Sequence, residues 1–220
     1  VKPGRIVPAV CDIVDIAGLV KGASKGEGLG NQFLANIREC DAIIHVLRCF
    51  DDSGIVHVDG SVDPVRDKEI IDMELQLKDL ETLENRAKRV EKAARVGGDK
   101  AAKIEMDVID TYRKVLLEGK SARTVSFETE DEQAAAKSLF LLTAKPVLYV
   151  CNVDDKSAST GNEHTARVAE AIKDEEAEML IISAQTEADI AELETYEEKQ
   201  MFLEDMGLTE SGCNRLIKAI

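Results

Sequence analysis

The sequence predicts an α/β fold, a doubly wound and mainly parallel sheet with an antiparallel α-helical hairpin of coiled-coil type inserted into it. Three observations predict it. Four short apolar runs, at residues 9–15, 42–50, 146–152 and 179–183, are near-continuous rather than alternating, as strands covered on both faces must be. Helical stretches at 30–40 and 164–177 separate the first run from the second and the third from the fourth, and strands alternating with helices make βαβ units. Between the second and third runs, residues 67–118 carry no strand signal at all.

That middle segment follows a helical period. Met73, Leu77, Leu80, Leu83, Ala87, Val90 and Ala94 recur every three or four residues, a seam of coiled-coil type. The seam stops at Gly97-Gly98, a helix breaker, and resumes with Ala101, Ile104, Val108, Tyr112 and Val115. Two helices meeting at a Gly-Gly turn make an antiparallel hairpin. The organisation expected is therefore a sheet domain in two parts, 1–65 and 141–220, around a helical insertion at 66–140.

Composition bounds the function. The chain has 220 residues, 44% of them apolar but only 4% aromatic, so Ile, Val, Leu and Ala must build the core. With 28 basic against 43 acidic side chains the formal charge is −15, which argues against a globally basic DNA-binding protein. The apolar runs fall short of the ~18 residues that cross a bilayer, and no signal peptide opens the chain, so no membrane association is expected. Cys11, Cys40, Cys49, Cys151 and Cys213 are odd in number with no CxxC pair, which suits a reducing cytoplasm better than a disulfide framework or a zinc site. The chain opens on Val1 and closes within an amphipathic pattern at residues 216–220, so both ends read as cut from a longer polypeptide. His45, inside a strand run, reads as a core or edge residue, and the acidic stretch 174–178 as the exposed face of a helix.

Against the acidic whole, residues 86–103 are locally basic. Arg86, Lys88, Arg89, Lys92, Arg95, Lys100 and Lys103 face only Glu91 and Asp99. Positive charge gathered at the tip of a protruding hairpin points to a polyanion, with RNA the first candidate.

Three motifs fall at the carboxyl ends of predicted strands, the edge where open α/β sheets bind ligands. The first is Asp15-Ile-Ala-Gly18. In P-loop GTPases an Asp so placed holds a water on Mg²⁺, and the Gly amide reaches the γ-phosphate, an approach that a Cβ would obstruct. A stretch with four glycines in the ten residues 21–30 follows it. The second is Asn152-Val-Asp-Asp155, where a base-recognition NKxD motif would lie. There the Asn ties the base loop to the phosphate loop, the Asp accepts from guanine, and the Lys stem packs on the base; Val153 stands in place of that Lys. The third is Ser183-Ala184, matching a turn whose backbone touches the base.

The run from Asp15 to Leu34 closely resembles the second switch of the YchF or Obg-like ATPase family. The resemblance continues through Ile37-Arg-Glu-Cys40, Val46-Leu-Arg-Cys-Phe50 and Ala188-Asp-Ile-Ala-Glu-Leu193 and covers essentially the whole chain. It implies a P-loop NTPase-like fold with a helical insertion, Mg²⁺ as cofactor, hydrolysis of ATP in preference to GTP, association with the ribosome (its large subunit or RNA) through the hairpin, and a part in stress responses. Carried over, Asp15 is the catalytic and metal-water residue and Gly18 the γ-phosphate sensor. Asn152, Val153, Asp155, Ser183 and Ala184 line the base site. Leu19 stands where Ras-like enzymes keep a water-orienting Gln. Asp155 departs from the Glu usual in the family and leaves the choice between ATP and GTP open. No GxxxxGK[ST] occurs in the 220 residues; the family places that loop upstream and a TGS domain downstream, so this chain alone is expected to be inactive. The rival reading is a non-catalytic ribosome- or RNA-binding module.

Overall fold

A computed structural model describes residues 10–16, 29–55, 60–96, 99–175 and 177–219. Strands β1 (Ile43–Arg48), β2 (Val147–Asn152) and β3 (Glu178–Ile182) form a parallel sheet in that order, with Ile43 opposite Val147 and Leu148 opposite Glu178. The central strand is buried at every position from Val147 to Cys151, which is why its sequence is a continuous apolar run. Helix α1 (Leu29–Glu39) precedes β1, and α2 (Pro64–Val96), α3 (Lys100–Leu117) and α4 (Glu130–Ser138) fill the crossover from β1 to β2. Helix α5 (Glu163–Ile172) makes the crossover to β3, and α6 (Ala184–Glu192), α7 (Tyr196–Asp205) and α8 (Gly212–Ala219) follow it.

Leu47, Tyr149, Cys151, Val168 and Ile172 form the core between the sheet and α5. Leu34, Ile37, Leu75 and Leu142 join α1 to α2. A third core, including Leu83, Ile109, Tyr112 and Leu116, closes the hairpin on itself. Each large apolar side chain fully buried in this way contributes about 1.5–3 kcal/mol. Helix α8 approaches β3 so closely that a Cβ on Gly212 would lie 2.9 Å from Ile182.

Four expectations need correction. Residues 10–16 form no strand, and Val10, Ile13 and Val14 are exposed. An apolar run becomes a strand only where a ladder partner meets it, and this one pairs with none of the three described strands; Ile16 alone packs, against the α1–α2 cluster. The hairpin seam also shifts along its length. From Leu80 to Ala94 it runs as expected, but Met73 and Leu77 are each 46% exposed. Lys68, Asp72, Leu75 and Asp79 continue the inward stripe instead, because this half of α2 lies on the sheet domain and meets polar partners there. On α3, Ala102 and Leu116 are buried rather than Ala101 and Val115. Finally, Glu175 does not sit on an exposed helix face. Its side chain is 16% exposed, in the turn between α5 and β3.

Glu175 is the hub of a buried polar joint. It accepts from Lys68 Nζ at 2.5 Å, Arg123 Nη1 at 3.1 Å and the Tyr149 hydroxyl at 3.0 Å. Lys68 also bonds Asp72 at 2.6 Å. One carboxylate thus ties the first helix of the hairpin, the segment after the second, and the central strand. His45 stacks 5.6 Å from Tyr149 within the same enclosure, and burial pushes its pKa below the usual range.

Candidate functional site

The carboxyl ends of β2 and β3 are laced together by side chains. Val153 N–H donates to the Ile182 carbonyl at 2.9 Å, continuing the ladder past the strand end. Asn152 Oδ1 accepts the Ala184 N–H at 2.9 Å. One turn on, residues 155–157 form a 3₁₀ turn whose cap, Asp154, accepts the Ser157 N–H. That turn presents the exposed Asp155 to Ser183 and Thr186. The Ser183 hydroxyl donates to Asp155 Oδ1 at 2.6 Å and the Thr186 hydroxyl to the same oxygen at 2.8 Å. These two bonds, to the charged form, hold the Asp155 carboxyl below the usual carboxylate range. Ser183 also caps α6 by accepting the Thr186 N–H, so a single hydroxyl group begins a helix and fixes an acid.

Of the residues singled out in the sequence, Asn152, Asp155, Ser183 and Ala184 come together here. Thr186 was missed. Its signal, a hydroxyl one turn into the helix that Ser183 starts, is visible only once Ser183 is known to be a cap. Val153 departs from its expected place beside a base, because it is 3% exposed and belongs to the sheet core. Asp15 is exposed and lies outside the laced pair of strand ends. Gly18, Leu19 and residues 21–28 of the glycine-rich stretch lie outside the described residues. Among the described residues no group of three His, Cys, Asp or Glu side chains could hold a metal ion alone. Asp15 could hold Mg²⁺ through water only beside nucleotide phosphates, the usual manner for this ion.

The basic segment lies at the other end of the molecule. Helix α2 runs back along the sheet from the carboxyl end of β1, and Asp79 meets Leu142 and Thr143 just before β2 begins. The remaining turns of α2 carry the hairpin about 25 Å beyond that point at 1.5 Å per residue. Pairs such as Arg86–Glu105 and Gln76–Gly119 give the antiparallel register. Arg86 is spent on the buried-side pair with Glu105, and Arg95 pairs with Glu91 at 3.0 Å. Lys88, Arg89, Lys92, Lys100 and Lys103 are exposed. At 100° per residue, Lys88, Arg89 and Lys92 face away from α3, and Lys100 and Lys103 face away from α2. The charge therefore lies on both flanks of the hairpin's far end.

Comparison with known proteins agrees with this architecture. A family described as 50S ribosome-binding GTPase matches residues 2–90. The ribosome-binding ATPase YchF of Bacillus subtilis is 50% identical over 221 residues, spanning 100% of this chain and 60% of that protein. The Obg-like ATPase 1 of Gallus gallus is 40% identical, over 99% of this chain and 56% of its own length. The structure of the Schizosaccharomyces pombe YchF GTPase superposes with a TM-score of 0.77 at 34% identity, covering 93% of this chain and 55% of that one.

The chain belongs to the YchF and Obg-like ATPase family. It has the α/β fold of the P-loop NTPases, and it spans 60% of the length of its Bacillus relative. The hairpin of α2 and α3 lies in the crossover between β1 and β2. No helix among the described residues is long and apolar enough to cross a membrane.

Proposed function

We propose that this chain supplies the base-binding half of a purine nucleoside triphosphate site, ATP or GTP, whose hydrolysis with Mg²⁺ governs attachment to the ribosome in the cytoplasm. The observation that carries this reading is the pair of ties, Asn152 to Ala184 and Asp155 to Ser183 with Thr186, at the carboxyl edge of the sheet. Ligands bind at that edge in open α/β sheets. The two ties fix one amide and one carboxylate before any ligand arrives, so a bound base meets groups already in place.

In this reading Asn152 holds the turn at Ala184 so that its backbone borders the base, and Asp155 accepts hydrogen bonds from the base edge. Asp15 orients a water on the metal, and Gly18 contacts the γ-phosphate. Mg²⁺, when bound, would neutralise charge on the transferring phosphate. The division of the chain into sheet parts 1–65 and 141–220 and an insertion 66–140 belongs to the same proposal. So does a contact between ribosomal RNA of the large subunit and Lys88, Arg89, Lys92, Lys100 and Lys103, with Arg86 and Arg95 in supporting pairs. A role in stress responses would follow from control of ribosome attachment.

The test is binding of labelled ATP and GTP with Mg²⁺ to the 220-residue chain and to a longer form carrying a phosphate loop. The expected result is tight binding by the longer form, lost on Asn152→Ala. Tight binding that survives Asn152→Ala and Asp155→Ala together would move the base elsewhere. An inert longer form that still sediments with ribosomes would favour the non-catalytic binding module.

A further inference from the structure

We propose that a cavity at the root of the hairpin is a binding site for a small uncharged molecule bearing a carbonyl group. The site is independent of the base-site reading, because it lies at the opposite end of β2. Its lining includes Pro146, one residue before that strand begins and about 20 Å along it from Asn152.

The cavity holds about 230 Å³. Tyr112 of α3, Ala122 and Arg123 of the 3₁₀ turn Ala122–Thr124, and Val125, Ala144 and Pro146 line it. Apart from Tyr112 and Arg123 the walls are apolar, which suits the body of an organic molecule. Among the described residues, nothing bonds the Tyr112 hydroxyl or Arg123 Nη2. The rest of the Arg123 head is engaged, with Nε donating to the Lys145 carbonyl and Nη1 to Glu175 Oε2, each at 3.1 Å. Tyr112 and the Arg123 side chain are each only 5% exposed, so water offers these two donors little, and a buried donor without an acceptor is costly.

Two donors in an apolar cavity select an acceptor. Burial first, and the nearby Asp79 second, push the Tyr112 pKa up, so its hydroxyl keeps its proton. Charge disfavours a carboxylate as the acceptor. Lys68 and Arg123 are already matched by Asp72 and Glu175, and Asp79 stands close to Tyr112 as well, so an anion would meet no unspent positive charge. An amine would bring donors to donors. A carbonyl oxygen has two lone pairs and can accept from both groups without adding charge. The volume admits a body of about ten non-hydrogen atoms, smaller than the drug-sized molecules that larger pockets take.

The probe is benzamide, with benzoate and benzylamine as anionic and cationic counterparts of similar shape. Each is titrated into the full 220-residue chain while the backbone amide resonances of Ala122, Arg123, Val125 and Ala144 are followed. Benzamide should shift all four saturably, with a Kd of about 1 mM, and leave Ala184 at the far end of the sheet unmoved. Benzoate and benzylamine should each bind about fivefold more weakly or worse. Tyr112→Phe keeps the ring and removes one donor, so it should weaken benzamide about fivefold and leave Tm unchanged, since that hydroxyl bonds nothing in the chain. Ala144→Leu fills the space and should abolish the shifts with an unchanged circular dichroism spectrum. Undiminished affinity in Tyr112→Phe, or benzoate binding as tightly as benzamide, would overturn the ligand class. Shifts that survive Ala144→Leu, that centre on Ala184 or that never saturate would overturn the site itself.

Discussion

Asp79 reaches 64 residues along the chain to clasp Thr143, accepting its backbone N–H at 2.8 Å and its hydroxyl at 2.7 Å, and accepts the Leu142 N–H at 2.8 Å as well. The carboxylate is fully buried. Its desolvation pushes the pKa up against the pull of those three donors, and the clasp holds the hairpin's first helix to the segment entering β2. Removing it strands buried donors. Asp79→Ala should cost about 3 kcal/mol, because two backbone N–H groups lose their acceptor, whereas Thr143→Val, which takes one donor from Asp79 and the acceptor of the buried Ala122 N–H, should cost about 2 kcal/mol. Urea denaturation of the two variants measures the difference, and equal costs would show that the hydroxyl dominates.

Glu175 offers a second stability test of a different kind. Glu175→Ala leaves Lys68 and Arg123 enclosed without their shared partner and should destabilise the chain by about 3–5 kcal/mol. Adding Arg123→Met should recover part of that loss, since the guanidinium's ion pair is with Glu175 whereas Lys68 keeps Asp72. Thermal unfolding of the single and double variants decides the matter; a double variant weaker than the single one would contradict the account.

The pH dependence of stability should carry the signature of His45. Burial is the largest influence on its ring, Asp72 and Glu175 pull the pKa upward, and Lys68 and Arg123 push it downward; the net direction is below the ordinary value of 6.5. The unfolded chain therefore binds a proton at a pH where the folded chain does not. The contribution is fully present above pH 6.5 and is lost as the pH falls through 6.5 towards the folded value. His45→Phe should flatten the stability curve in that window, measured by denaturation at a series of pH values.

At the hairpin tip, reversing exposed charge and removing paired charge should separate. Arg89→Glu with Lys92→Glu should weaken co-sedimentation with ribosomes and reduce its salt dependence, leaving stability within about 0.5 kcal/mol. Arg86→Ala should instead loosen the hairpin, because it unpairs the half-buried Glu105. Undiminished sedimentation of the double reversal would make the tip a solvated surface.

How far the sequence carries can be judged from particular residues. Continuous apolar runs located β1, β2 and β3 to within two residues, because a strand buried on both faces leaves no room for polar side chains. Asn152, Asp155, Ser183 and Ala184 were legible because the motifs fall at strand ends, where the backbone turns and side chains must cap it. The polar half of the α2 stripe was not. Lys68, Asp72 and Asp79 lie inward at the same helical period as Leu75 and Leu83, but a periodicity read on hydrophobicity passes over charged residues. The distant partners of Lys68 and Asp79, Glu175 and Thr143, are dozens of residues away, and no local pattern announces them. The apolar run at 9–15 misled in the opposite direction, since composition shows that a segment can be a strand and only a neighbouring ladder makes it one.

The long crossover between β1 and β2 sets an order of events during folding. Ile43 cannot meet Val147 until on the order of a hundred intervening residues have been placed, a separation that slows the closing of a parallel sheet. The helices in between need only near neighbours, so α2 and α3 can zip together early while β1 waits unpaired. In that sequence of events the clasp of Asp79 on Thr143 acts as a latch, delivering the start of β2 to the sheet once the hairpin has formed. A refolding chain labelled on the hairpin and on β2 should report two times, and loss of the latch should lengthen only the second.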